Sequence, residues 1–136
     1  MKTEIFLDSA FAIALASATD TYHKKALEIS ETLGDVTLVT TRAILLEIGN
    51  ALSKRPFRKA CLSLLRALED DENVLIVSIS DELFEKGMDL FAKRTDKEWG
   101  LIDCISFVVM QEREIAQALT TDTHFQQAGF QVLMRA

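Results

Sequence analysis

The chain has 136 residues, 49% of them hydrophobic and 26% charged, with a formal net charge of −6. That length buries about two-thirds of the unfolded surface, enough for a single globular domain spanning residues 1–136. The acidic balance excludes a uniformly basic nucleic-acid binder but leaves room for a local basic patch near a site that holds metal cations.

Residues 4–7 read as a short strand. Lys2, the apolar stretch after it and the small residues at 14–16 and 16–18 loosely imitate a secretory leader, but Glu4 and Asp8 place charge where a leader must be apolar. Residues 9–17 form an alanine-rich helix. Residues 20–33 have helical spacing, with Ala26, Leu27, Ile29, Ser30 and Leu33 on one side, and Gly34 stops them. The β-branched run 36–40 is a strand. Residues 42–53 form a helix ended by Lys54-Arg55-Pro56, and Pro56 suits the first turn of a new helix to about residue 67. Glu69-Asp70-Asp71-Glu72 reads as a solvated loop. A strand at 74–77, helices at 81–93 and 101–113, and strands at 116–120 and 131–133 complete the chain. Strands alternate with helices, which implies a mostly parallel sheet with helices on both faces, a doubly wound α/β architecture.

No uncharged apolar run reaches the roughly 18 residues of a membrane span. Cys61 and Cys104 lack CxxC or metal spacing and read as buried thiols of a cytoplasmic protein.

Four acids stand out. In open parallel sheets, ligands bind outside the carboxyl ends of the strands. Asp8 ends the first strand in Phe6-Leu7-Asp8-Ser9-Ala10-Phe11, and Asp122 lies just past a later one in Thr120-Thr121-Asp122-Thr123-His124-Phe125. Each also suits a helix N-cap. Asp103 is harder to explain locally, because eight of the ten residues from 101 to 110 are apolar, so this helix should be buried all round. Its two polar residues, Asp103 and Ser106, share a face. A lone carboxylate there costs several kcal/mol unless a charge meets it. Glu47 sits mid-helix on a stripe with Ala43, Asn50 and Lys54, which alone would be a solvated face. Together the four can reach one cleft. Clustered carboxylates repel unless protons or cations neutralise them. Hard oxygen ligands favour Mg²⁺ or Mn²⁺, metals that activate water and clamp a phosphodiester during hydrolysis.

At these residues the sequence resembles the PIN-domain nucleases, particularly the VapC-like toxins of bacterial toxin–antitoxin pairs. The likeness runs along essentially the whole chain. Phe6-Leu7-Asp8-Ser9-Ala10-Phe11 is similar to the family's opening stretch, and Leu45-Leu46-Glu47-Ile48-Gly49-Asn50-Ala51-Leu52 to its acid-bearing helix. The most specific stretches run from Asp96 to Phe107 and from Leu119 to Phe125. The resemblance implies a three-layer α/β/α fold, Mg²⁺- or Mn²⁺-dependent RNA cleavage, a cognate antitoxin and a homodimer. It assigns Asp8, Glu47, Asp103 and Asp122 to the metal and to catalysis, with Ser9 and Thr121 as supporting hydroxyls. Relatives often carry Ser-Leu-Thr where this chain has Gly100-Leu101-Ile102, so two hydroxyls are lost before the third acid.

Lys54, Arg55, Arg58 and Lys59 form the one basic cluster, suited either to RNA phosphates or to a solvated helix junction. His124 packs or caps beside Asp122, Trp99 anchors the core, and Asp96 is a surface acid at the cleft rim. Two other classes compete with the nuclease: a non-catalytic PIN-fold module that binds RNA or an antitoxin, and a phosphoryl-accepting domain built on Asp8. The second expects an acid two residues after Asp8, where Ala10 stands. Neither a P-loop nor G-x-G-x-x-G occurs, which excludes the usual nucleotide cradles.

Overall fold

A computed structural model describes residues 2–134 of the chain. The first strand, β1 (Thr3–Leu7), buries Ile5, Phe6 and Leu7, so both of its faces are covered. Phe6 joins Val39, Ala118, Ile44, Phe107 and Phe125 on one face, whereas Ile5 and Leu7 join Phe11, Ala26 and Leu119 on the other. This is the two-face apolar strand of a parallel sheet, the β half of a βαβ unit.

After β1 come α1 (Ser9–Ala16), α2 (His23–Thr32), β2 (Val36–Thr41), α3 (Arg42–Ala51), α4 (Arg55–Asp70) and β3 (Val74–Val77). The second half holds α5 (Asp81–Lys93), α6 (Leu101–Glu112), β4 (Gln117–Leu119), α7 (Thr123–Gln127) and β5 (Gln131–Val132). Every strand pairing is parallel, in the order β3-β2-β1-β4-β5. The fold is therefore a three-layer α/β/α sandwich, and its sheet is wholly rather than mostly parallel. Among the described residues no helix is long and apolar enough to cross a membrane.

The strand order fixes where a ligand can sit. The chain builds outward from β1 to β2 and β3, then crosses back to add β4 on the other side of β1. Between the carboxyl ends of β1 and β4 the connections diverge, opening the crevice that α/β sheets use for ligands.

Local differences from the sequence reading have physical causes. The second helix begins at His23 rather than Asp20, because the Asp20 carboxylate accepts from the Tyr22 amide at 2.8 Å and holds a turn there. Gly34, at φ +71°, closes its far end. The fourth helix continues past residue 67 to Asp70, so Glu69 and Asp70 are not loop residues, and Glu69 pairs with Arg42 at 3.0 Å. The last strand is shorter than expected. Cys61 and Cys104 are both buried free thiols, and Trp99 is a core anchor whose indole N–H donates to Gln127 at 2.9 Å. Asp96 is exposed, as expected, and bound to Arg94 through two contacts of 2.9 and 3.0 Å.

Helix α6 is the centre of the packing. From Cys104 to Met110 every residue is buried, including Ser106, whose hydroxyl donates to the Ile102 carbonyl at 3.0 Å. Helix α5 approaches it closely at Gly87, where an added Cβ would stand 2.5 Å from Ile105 Cγ1. Gly87→Ala should therefore destabilise the protein by about 1–3 kcal/mol despite alanine's better helix propensity. A urea melt checks this, and a neutral or stabilised variant would mean that the helices separate without cost.

Candidate active site

The acids converge because four elements start or end at the same sheet edge. Pairing of Leu7 with Leu119 places Asp8, the residue after β1, beside Thr120, the residue after β4. Helix α3 starts directly after β2, capped by Thr41, whose hydroxyl oxygen accepts from the Ile44 amide at 3.2 Å. One and a half turns later α3 presents Glu47 towards α1. Helix α6 brings in Asp103 within its first turn.

Asp8 is 5% exposed. It occupies the N-cap position of α1, yet its side chain makes no capping bond to that helix. Its Oδ2 instead accepts from the Thr120 hydroxyl at 2.7 Å. The same Thr120 oxygen accepts from the Asp122 backbone N–H at 3.0 Å, so one fully buried hydroxyl ties two acid-bearing segments together. On the other side the Ser9 hydroxyl donates to Glu47 Oε1 at 2.5 Å. Asp103 Oδ2 accepts from the Gly100 amide at 3.3 Å and lies 3.1 Å from His124 Nδ1. Asp122 does cap its helix, since Oδ1 accepts from the His124 amide at 2.9 Å, and it also lies 3.4 Å from His124 Nδ1. One ligand atom each from Asp103, Asp122 and His124 lies within 4.8 Å of the others.

The electrostatics follow from this crowding. Desolvation pushes the Asp8 carboxyl up to about 7, with the Glu47 and Asp103 charges adding to the rise and the Thr120 hydroxyl and the Ser9 backbone N–H opposing it. Asp103 is also raised by burial, and by Asp122, against the opposing pull of His124 and Gly100. Among the described residues no lysine or arginine forms an ion pair with Asp8, Glu47, Asp103 or Asp122. The carboxylates thus face one another without a protein cation between them. Such a donor set, rich in hard oxygen, fits an octahedral Mg²⁺ or Mn²⁺ ion. Beside it runs an apolar groove of about 670 Å³, lined by Leu46, Glu47, Asn50, Phe84 and Ile102 among others.

The resemblance gave Thr121 as a supporting hydroxyl near Asp122; Thr120, which it did not single out, supplies the hydroxyl that bonds Asp8 and the Asp122 amide. The β1–β4 register ends with Leu7 opposite Leu119, which puts Thr120 directly beside Asp8. The approach of His124 to two acids was not visible from its sequence spacing. The basic cluster lies apart. Lys54, Arg55, Arg58 and Lys59 are all exposed at the α3–α4 junction, and Arg58 Nε donates to the Ser53 carbonyl at 2.8 Å.

The raised Asp8 carboxyl has a definite sign in metal-free protein. Folding raises its affinity for a proton from the usual value of 3.8 to about 7, so its contribution is fully present below pH 3.8 and fades as pH climbs through 7. In EDTA the wild type should lose stability between about pH 4 and 8, by on the order of a few kcal/mol from this group. Asp8→Asn should remove most of that loss. Parallel pH slopes for the two proteins would contradict the burial of a charge at Asp8.

The chain as a whole is similar to known proteins. The PIN domain family model matches residues 5–131. The 23S rRNA-specific endonuclease VapC20 of Mycobacterium tuberculosis, from strain CDC 1551 / Oshkosh and from strain ATCC 25618 / H37Rv, is 27% identical over 126 residues, covering 93% of this chain and 95% of the relative. The crystal structure of M. tuberculosis VapC20, described as a Sarcin-Ricin loop cleaving toxin, is similar with a TM-score of 0.86 at 25% identity, covering 95% of this chain and 98% of that one. VapBC2 from Rickettsia felis, bound to a DNA fragment from its promoter, shares the fold at a TM-score of 0.65 and 13% identity, covering 96% and 97% of the two chains. A buried carboxylate at the β1–β4 crevice, three further acids around it and a match along almost the whole chain lead to one assignment: this chain belongs to the PIN domain family.

Proposed function

We propose that this protein is a metal-dependent endoribonuclease that hydrolyses RNA phosphodiesters, acting in the cytoplasm as the toxin of a toxin–antitoxin pair. The observation that carries the reading is the gathering of Asp8, Glu47, Asp103 and Asp122 at one sheet edge, where no lysine or arginine among the described residues forms an ion pair with them. The likeness to the 23S rRNA-specific endonuclease VapC20 supports it and makes structured ribosomal RNA the first substrate to test. A non-catalytic RNA- or antitoxin-binding module would have no need to gather four acids at this cost.

In this reading the four acids hold Mg²⁺ or Mn²⁺. When bound, the metal supplies an activated water and neutralises charge on the scissile phosphate. The chain's own groups supply the positioning. Thr120 fixes one oxygen of Asp8 and the backbone of Asp122, so the two strand-end carboxylates keep a constant relation. Ser9 holds one oxygen of Glu47. Helices α1 and α6 begin beside the acids, and their N-terminal dipoles reduce the cost of concentrating negative charge, from carboxylates and from phosphate, at that edge. Lys54, Arg55, Arg58 and Lys59, exposed at the junction that follows the helix of Glu47, would contact flanking phosphates of the RNA strand. A cognate antitoxin and a second copy of the chain are the proposed protein partners. The exposed Leu46, Phe84, Met88 and Phe91 side chains offer apolar surface for such contacts.

Two outcomes follow. Asp103→Asn should lower metal-dependent RNA cleavage by at least about a hundredfold while leaving the circular dichroism spectrum unchanged, because one of several mutually repelling acids is removed. Full cleavage by this variant with metal supplied would remove Asp103 from the site. Neutralising any two of Lys54, Arg55, Arg58 and Lys59 should weaken RNA binding and reduce the slope of log affinity against log salt by up to about two. An unchanged slope would make the cluster a solvated helix junction.

A further inference from the structure

His124 enters the site from α7 in an arrangement that its sequence position does not reveal. Asp122 caps the helix by accepting from the His124 amide, so the two side chains leave the same turn and face α6 together. The His124 Nδ1 atom then lies 3.1 Å from Asp103 Oδ2 and 3.4 Å from Asp122 Oδ1. With ligands about 2.1 Å from an octahedral ion, adjacent donors stand about 3.0 Å apart and opposite ones about 4.2 Å. Both carboxylate oxygens therefore stand from Nδ1 at close to the spacing of adjacent donors, and one ligand atom from each of the three residues lies within 4.8 Å of the others. The His124 and Asp103 side chains are 31% and 19% exposed, so an ion can reach them from solvent.

We infer that His124 is a nitrogen ligand to the metal at this site and biases the site towards Mn²⁺ over Mg²⁺. The inference rests on the metal-centre reading above and adds a donor to it. Mg²⁺ favours oxygen and surrenders its waters reluctantly, whereas imidazole suits transition metals. The four carboxylates alone would discriminate less between the two ions. Ligation through Nδ1 requires the ring proton to sit on Nε2. Metal therefore replaces the contact between His124 and Asp103 instead of adding to it, and both groups turn their lone pairs to the ion.

The competing role is purely positional, with His124 serving only as a hydrogen-bond donor to Asp103. His124→Asn separates the two, because the asparagine amide can still donate to Asp103 but does not supply an imidazole nitrogen. The experiment titrates the purified full chain with Mn²⁺ and with Mg²⁺. It then records pulsed electron paramagnetic resonance of the Mn²⁺-loaded protein. Wild type should show hyperfine coupling to a directly bound ¹⁴N, absent in His124→Asn, and the variant's Mn²⁺-to-Mg²⁺ affinity ratio should fall by about tenfold or more. Equal melting temperatures in EDTA would show that the variant folds; if it does not, the wild-type spectrum alone decides. Mn²⁺ bound without nitrogen coupling in wild type, and lost on Asp103→Asn, would overturn the His124 assignment while leaving the metal centre standing. Failure of wild type to bind either ion would overturn both.

Discussion

A carboxylate buried at the end of the central strand is the constraint around which the rest of the molecule is arranged. Asp8 is 5% exposed, faces two other acids and, among the described residues, forms no ion pair with a lysine or arginine. An uncompensated charge in such a place destabilises the fold, so the metal-free protein relieves it by holding a proton to about pH 7. The remaining stability has to come from elsewhere. It comes from the apolar faces of β1 and β2 and from α6, whose residues from Cys104 to Met110 are all buried. A bound cation would offset the mutual repulsion of these carboxylates.

Thr120 makes that arrangement specific. Parallel pairing of β1 with β4 brings two strand ends together, but pairing alone does not orient carboxylates. A single hydroxyl that donates to Asp8 and accepts from the Asp122 amide fixes both, and burial removes competing water. Ser9 does the same for Glu47 from the first turn of α1. On the far side, the close approach of α5 to α6 at Gly87 sets the position of the helix that carries Asp103. Packing distant from the chemistry thus determines where the third acid stands.

Much of this was legible from residue patterns. The alternation of apolar β-branched runs with helical periods fixed the parallel sheet, and the position of acids just after strands pointed to its carboxyl edge. The all-round apolar character of residues 101–110 correctly marked α6 as buried and Asp103 as anomalous. What the pattern did not carry were relations between segments distant in sequence. That Thr120 bonds Asp8 depends on the parallel pairing of Leu7 with Leu119, two segments over a hundred positions apart. The approach of His124 to Asp103 depends on how α7 docks on α6. The acidic residues 69 and 70 read as loop because their composition is solvated, yet the helix continues through them, with Glu69 paired to Arg42 and Arg66. Local polarity did not distinguish an exposed helix face from a loop.

The central claim is that Asp8 and Asp122 belong to a preformed cation site and are not merely residues at helix starts. It is tested most directly by thermal melts of wild type, Asp8→Asn and Asp122→Asn in EDTA, Mg²⁺ and Mn²⁺. A site that exists only in the folded state gains RT ln(1 + [L]/Kd), about 2.7 kcal/mol at a hundredfold excess of ion over Kd. The account predicts a clear metal-dependent rise in Tm for wild type and a much smaller one for each variant. Identical metal increments in all three proteins would contradict it and return both residues to a local structural role.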